Sequence, residues 1–157
     1  RFTGYEISEE GIRYARAQAV AEGTTNIRFE LKDAESFDDT NSFDLACTFD
    51  AVHDQANPGQ LLRNIQRALR PGGVYLMQDI DAKSDVGENI DHPMGTLLYT
   101  ISCMHCMSVS LSAGGEGLGA MWGVDVAEEL LQNAGFSSIN IHRLPHDIQN
   151  AYYVAKF

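Results

Sequence analysis

The sequence of 157 residues contains no apolar run approaching the roughly 18 residues that a membrane-crossing helix needs. No basic-then-apolar leader opens it. Neither a transmembrane span nor a secretory signal is therefore expected. Positive charge is scarce: 11 Lys and Arg stand against 22 Asp and Glu, for a formal net charge of −11. A field of that sign repels phosphate backbones and anionic lipid, so neither nucleic acid nor a membrane is expected as a partner. The 3 cysteines are too few, and odd in number, for a disulfide framework, which fits a reducing, cytoplasmic location. Internal repeats and low-complexity tracts are missing as well. What is present is 44% apolar and 21% charged residues, the make-up of one ordinary domain with a buried core.

The apolar pattern alternates between the periods of strand and helix. Phe2 to Ile7 reads as a strand. Ser8 is an N-cap for a helix over about 9–22, with Ile12, Ala15 and Ala19 on one face and Gly23 as its stop. Ile27 to Leu31 reads as a second strand and Phe43 to Phe49 as a third, more buried one. Asn57-Pro58 opens a helix whose inner face carries Leu61, Leu62, Ile65 and Leu69, and Pro71-Gly72-Gly73 turns it into a strand over Val74 to Gln78. Strands joined by helices predict an α/β fold with an open, mostly parallel sheet. Residues 85–121 break the rhythm, with a helical stretch over 90–107 and a loop at Gly114, Gly115, Gly117 and Gly119 expected to be flexible. A helix near 124–134 and strands at 137–143 and 151–156 close the chain with an antiparallel edge.

Three landmarks carry chemistry at the C-terminal ends of strands, where α/β sheets bind ligands. Glu6, in Gly4-Tyr5-Glu6-Ile7-Ser8, could accept both hydroxyls of a ribose, or be a solvated surface acid. Asp33, in Lys32-Asp33-Ala34-Glu35, could receive an adenine amino group or bond its own backbone. The third strand runs into Phe49-Asp50-Ala51-Val52-His53-Asp54, and a rim histidine there is a candidate acid–base group.

Taken in order, Gly4-Tyr5-Glu6-Ile7-Ser8, Asp33-Ala34-Glu35, Phe43-Asp44-Leu45 and Leu69-Arg70-Pro71-Gly72-Gly73 resemble the motifs of class I S-adenosylmethionine-dependent methyltransferases. The likeness covers about residues 2–80, and the closing helix–strand–strand unit is similar to that of the same family. The segments Asp91-His92-Pro93-Met94-Gly95, Met104-His105-Cys106-Met107 and Gly117-Leu118-Gly119 resemble a bacterial-type branch in which a winged-helix-like N-terminal domain precedes the catalytic one. The resemblance implies a Rossmann-like fold and S-adenosylmethionine as cofactor. Glu6 would bind the ribose, Ile7 would pack on the adenine, Asp33 would accept from the adenine amino group, and Ala34 would touch the ring. Phe49 and Asp50 would line the methionine end. His53 would face the acceptor as the first candidate base, followed by His105 and His92. Residues 85–121 would form the cover that selects a small-molecule acceptor within one partial domain over 1–157.

One departure goes with the resemblance. The family's first, central strand and its Gly-rich turn have no counterpart ahead of Glu6, so an N-terminally truncated sheet in two halves is expected, weak cofactor binding by this segment alone, and homo-oligomeric association through the open edges. Three further readings are set aside or kept. Val109 and Leu111 followed by Gly115-Glu116-Gly117-Leu118-Gly119 could mimic a strand and dinucleotide loop, but the strand would be half polar. Cys103-Met104-His105-Cys106 lacks a second cysteine pair, so no metal is expected. The alternative to methyl transfer is a methyltransferase-like module without catalysis, used for binding or assembly.

Overall fold

The computed structural model describes all residues from Arg1 to Phe157. Packing divides the chain into two compact units, Arg1–Asp38 and Asp39–Phe157. The first unit holds strand β1 (Phe2–Glu6), helix α1 (Glu9–Ala21) and strand β2 (Ile27–Leu31), with β1 and β2 paired in parallel from Phe2↔Ile27 to Glu6↔Leu31. Ser8 caps α1 by accepting from the Gly11 N–H at 3.1 Å. Ile12 is the buried residue of this helix, and Ala15 and Ala19 are half-buried on the same side, as the 3.6-residue period requires. Tyr5 and Phe37 pack with ring centroids 5.6 Å apart beyond the strands.

The second unit begins with β3 (Phe43–Phe49), α2 (Pro58–Ala68) and β4 (Leu69–Ile80), and closes with α5 (Val124–Asn133), β5 (Ser138–Arg143) and β6 (Asn150–Lys156). Its sheet has the order β3-β4-β6-β5. β3 and β4 run parallel, and β6 enters antiparallel between β4 and β5. The fold is therefore the expected α/β arrangement with an antiparallel C-terminal edge. Strand pairing is divided into a two-stranded and a four-stranded sheet.

Asn57 accepts from the Gln60 N–H at 2.9 Å and Pro58 occupies the first turn of α2, so the helix starts where the cap signal put it. Its face of Leu61, Leu62, Ile65 and Ala68 is buried and packs on α5, whose inner side carries Ala127 and Leu131. Tyr75 of β4 stacks on Phe136 at 5.5 Å.

Two strand expectations need correcting. Pro71-Gly72-Gly73 does not precede β4 but lies within it. Phe43 pairs with Leu69 and Leu45 with Val74, so the extra residues form an irregularity in the ladder. Gly72 sits at φ +81°, which a side chain would disfavour. β3 is also less buried than its apolar run suggests. It is an edge strand, paired only with β4, and Leu45 and Phe49 are more than half exposed.

Residues 85–121 form a short 3₁₀ turn (Val86–Asn89), then α3 (Gly95–Ile101), one π turn (Ser102–Cys106) and α4 (Met107–Ser112). Val109 and Leu111 are thus helical, which removes the strand that a dinucleotide loop would need. The glycine-rich stretch is anchored. Ser110 Oγ donates to the Gln55 carbonyl at 2.8 Å and accepts from the Gly117 N–H, while the Glu116 N–H bonds the Ala56 carbonyl. A Cβ on Gly115 would come within 2.3 Å of Ala56 Cα. No helix is long and apolar enough to cross a membrane.

Leu62 is fully buried in α2. Leu62→Ala is expected to cost about 2–5 kcal/mol, seen as a lower denaturation midpoint at unchanged slope.

Candidate functional site

In the first unit, the parallel pairing puts Glu6 and Leu31 side by side at the C-terminal ends of their strands. Glu6-Ile7 and Asp33-Ala34 follow immediately, joined by the Lys32 N–H to the Glu6 carbonyl. Glu6 is exposed, and its Oε1 accepts the Ser8 N–H at 2.8 Å, leaving Oε2 without a protein donor. Gly11 leaves room for this side chain: a Cβ there would lie 3.0 Å from Glu6 Cγ. Ile7 is 72% exposed. Asp33 Oδ1 accepts the Glu35 N–H at 2.8 Å, so one of its oxygens does bond the backbone, and Ala34 is half-buried. An open carboxylate oxygen beside an exposed aliphatic side chain suits a sugar hydroxyl and a flat apolar ring.

In the second unit, the peptide after β3 turns sharply. Asp50 takes φ +49°, a left-handed conformation that Asp tolerates better than most residues, and its N–H bonds the Gln78 carbonyl on β4. The turn sends Val52 and His53 into the interior, where both are at most 3% exposed. His53 Nδ1 meets Asp79 Oδ1 at 2.6 Å. Asp79, with no exposed surface, also accepts the Trp122 indole N–H at 3.1 Å and the Ile80 N–H at 2.9 Å on the same oxygen. A carboxylate only accepts, so Nδ1 carries its proton toward Asp79 and Nε2 is left for other partners. Nε2 lies 3.4 Å from Asp54 Oδ1.

These groups line a cavity of about 250 Å³. Its polar end is Asp50, His53, Asp54 and Gln149; Ile80, Leu98, Ile101, Cys106 and Ala120 form the rest. Asp54 Oδ1 is buried there without a hydrogen-bond partner, as is Asp79 Oδ2.

Burial pulls the His53 pKa down, but the hydrogen bond and charge of Asp79, with Asp54 and Asp50, outweigh it, and the net shift is upward. For Asp50, burial and then the charge of Asp79 raise the pKa, with smaller upward pushes from Asp54 and Asp147 and an opposing one from His53. Burial and a hydrogen bond to Asp54 push the Cys106 thiol up to about 11, so it stays protonated at neutral pH.

Asp50 and His53 are thus brought together at one cavity. Phe49 is 58% exposed at the end of β3 and is not part of the lining. His105 is exposed on the π turn and also outside the lining, although its neighbour Cys106 is within it. His92 is a structural group: its Nδ1 accepts the Met94 N–H and its Nε2 bonds the Asp81 carbonyl. Sequence reasoning missed Asp79, Trp122 and Gln149. The available signal was an acid at the end of the apolar strand Val74 to Ile80.

A raised His53 pKa means that the charged pair contributes stability below the unfolded-state value of about 6.5 and loses it as pH rises through the folded-state value. Asp79→Asn is therefore expected to lower the His53 pKa, followed by imidazole NMR titration. Its stability deficit relative to the wild type should shrink as pH rises from about 6.5 through the raised folded-state value.

The sequence matches the methyltransferase domain family over residues 1–107. Similar solved structures include a candidate O-methyltransferase from Nostoc punctiforme, 26% identical with a TM-score of 0.69, covering 98% of this chain and 44% of that one. An O-methyltransferase family protein from Burkholderia thailandensis is 14% identical with a TM-score of 0.68, covering 99% and 42%. PigF, solved with SAH, is 19% identical with a TM-score of 0.75, covering 99% and 43%. The chain spans about two-fifths of the length of these structures. With more than half of its residues matched, from the first strand through the π turn, the chain belongs to the methyltransferase domain family.

Proposed function

We propose that the protein transfers a methyl group from S-adenosylmethionine to a small-molecule acceptor held in the Asp50–His53–Asp54 cavity, with His53 as the base. The observation that carries this reading is the 2.6 Å contact of His53 Nδ1 with buried Asp79, which leaves Nε2 free to take a proton. Family membership and the SAH-bound PigF fold support the choice of cofactor. The match over 1–107 runs through both compact units, which supports reading 1–157 as one domain.

S-adenosylmethionine, when bound, supplies a sulfonium methyl already activated for displacement. The chain's own residues divide the remaining work. Glu6 accepts from ribose hydroxyls through its free oxygen, and Ile7 covers an adenine face. Asp33 and Ala34 meet the ring's amino edge, Asp33 with the oxygen not bound to Glu35. Phe49 and Asp50 serve the methionine end, where an acid also favours a cationic cofactor over its neutral product. Ile80, Leu98, Ile101 and Ala120 hold the apolar body of the acceptor, so its nucleophilic atom can align in line with the methyl. As the new bond forms, the acceptor's proton passes to His53 Nε2, and the imidazolium is held by Asp79. Residues 85–121 supply Leu98, Ile101, Cys106 and Ala120, which supports their reading as the cover that selects the acceptor.

Calorimetric titration of S-adenosylmethionine into the intact protein tests the cofactor assignment. Glu6→Ala is expected to lose about 1.5–3 kcal/mol for each charge-assisted hydrogen bond removed. An unchanged affinity overturns the role of Glu6. His53→Gln should lower kcat about 10²–10⁴-fold with little change in cofactor affinity. The wild-type rate should rise with pH through the raised His53 pKa, because only the neutral ring takes a proton.

A further inference from the structure

We propose that His53, Asp54 and Cys106 form a site for one thiophilic divalent cation, with Zn²⁺ the best match. The His53, Asp54 and Cys106 ligand atoms all lie within 4.8 Å of one another. Imidazole, carboxylate and thiolate together are a zinc donor set. Two ligands each about 2.0 Å from a tetrahedral ion stand roughly 3.3 Å apart, and His53 Nε2 and Asp54 Oδ1 are 3.4 Å apart.

Two independent features point the same way. Asp54 Oδ1 is buried and makes no hydrogen bond of its own, facing His53 Nε2 at 3.4 Å. His53 is also already oriented from behind: its Nδ1 proton is held by Asp79, and Asp79 by Trp122 and the Ile80 N–H. A carboxylate behind a ligating histidine fixes the tautomer and makes the ring a better donor, the usual outer shell of a zinc histidine. All three residues line the same cavity of about 250 Å³.

The neighbouring trio of Asp50, His53 and Asp79 also clusters. There His53 Nδ1 and Asp79 Oδ1 are 2.6 Å apart, a hydrogen bond too short to admit an ion between them. Cys103 is exposed and plays no part.

Binding would displace the Cys106 thiol proton to solvent as the sulfur–metal bond forms, so affinity should increase with pH. The ion would also occupy the Nε2 lone pair that the proposed base needs. Metal occupancy and proton abstraction therefore exclude each other, which makes the cation an inhibitor rather than a cofactor. The site itself stands on geometry and does not depend on the methyl-transfer reading.

The test is equilibrium dialysis of the intact protein against Zn²⁺, with Co²⁺ substitution followed by absorption. One equivalent of Zn²⁺ and a near-ultraviolet thiolate-to-cobalt band are expected. Cys106→Ser should abolish the band, Asp79→Asn should weaken Zn²⁺ binding about 10–100-fold, and Cys103→Ser should change neither. Should Cys106→Ser fail to fold, the band in the wild type and the release of one proton per ion decide the matter. A wild-type protein without the band, or binding that survives in folded Cys106→Ser, overturns the site. S-adenosylmethionine titration in the presence of a chelator reports on methyl transfer separately, so failure of one reading is not mistaken for failure of the other.

Discussion

The second unit is organised around one carboxylate oxygen. Asp79 Oδ1 receives three N–H groups, from a side chain after β3, from a tryptophan 43 positions later in the chain, and from the next residue of β4. Burying a charge is costly unless it is paired and hydrogen-bonded. The arrangement persists because each donor belongs to a different segment, so that the end of β4, the loop after β3 and the residues leading into α5 meet at one atom. His53 has its rotamer, tautomer and raised pKa from the same contact. Any chemistry at Nε2, toward a proton or toward a metal, inherits that constraint.

A second constraint is the division of the strands. In the four-stranded sheet, β4 and β6 are flanked on both sides, whereas β3 and β5 each have one neighbour. Exposure follows directly: Tyr75, Met77 and Tyr153 are fully buried, but Leu45 and Phe49 are open. The residues that the family resemblance assigns to the cofactor lie at strand ends in both units, at Glu6 and Asp33 in one and at Phe49 and Asp50 in the other. The cavity lined by Asp50, His53 and Asp54 is contained within the second.

The sequence was most legible where local rules decide the outcome. The Asn57-Pro58 cap, the amphipathic face of α2 and the strand at 27–31 follow from signals a few residues long, and the structure keeps them. Leu45 and Phe49 misled because an apolar run reports composition, not how many neighbours a strand will have. Gly114 to Gly119 read as a loose loop because glycine content says nothing about the Ser110 and Ala56 contacts that fasten it. At the site, His53 and Asp50 were visible as polar residues at a strand end. Asp79 was not, since an acid among Leu76, Met77 and Ile80 acquires meaning only once a histidine 26 positions away is folded against it. Cys106 was set aside for the same reason. Its sulfur joins the site only because a π turn places it, rather than exposed His105, on the cavity side.

The fastening of the glycine stretch has a consequence for how such a domain can diverge. Gly115 lies against Ala56, three positions after His53, and Ser110 grips the Gln55 carbonyl. Residues 110–116 are thus hydrogen-bonded to the backbone of the segment that carries the histidine. Exchanging lining side chains such as Leu98 or Ile101 reshapes the cavity, but insertions or bulkier residues near 115 would push on the segment that carries the histidine. Diversification of this pocket is therefore channelled into α3 and the π turn, while the glycine stretch is held to nearly its present length.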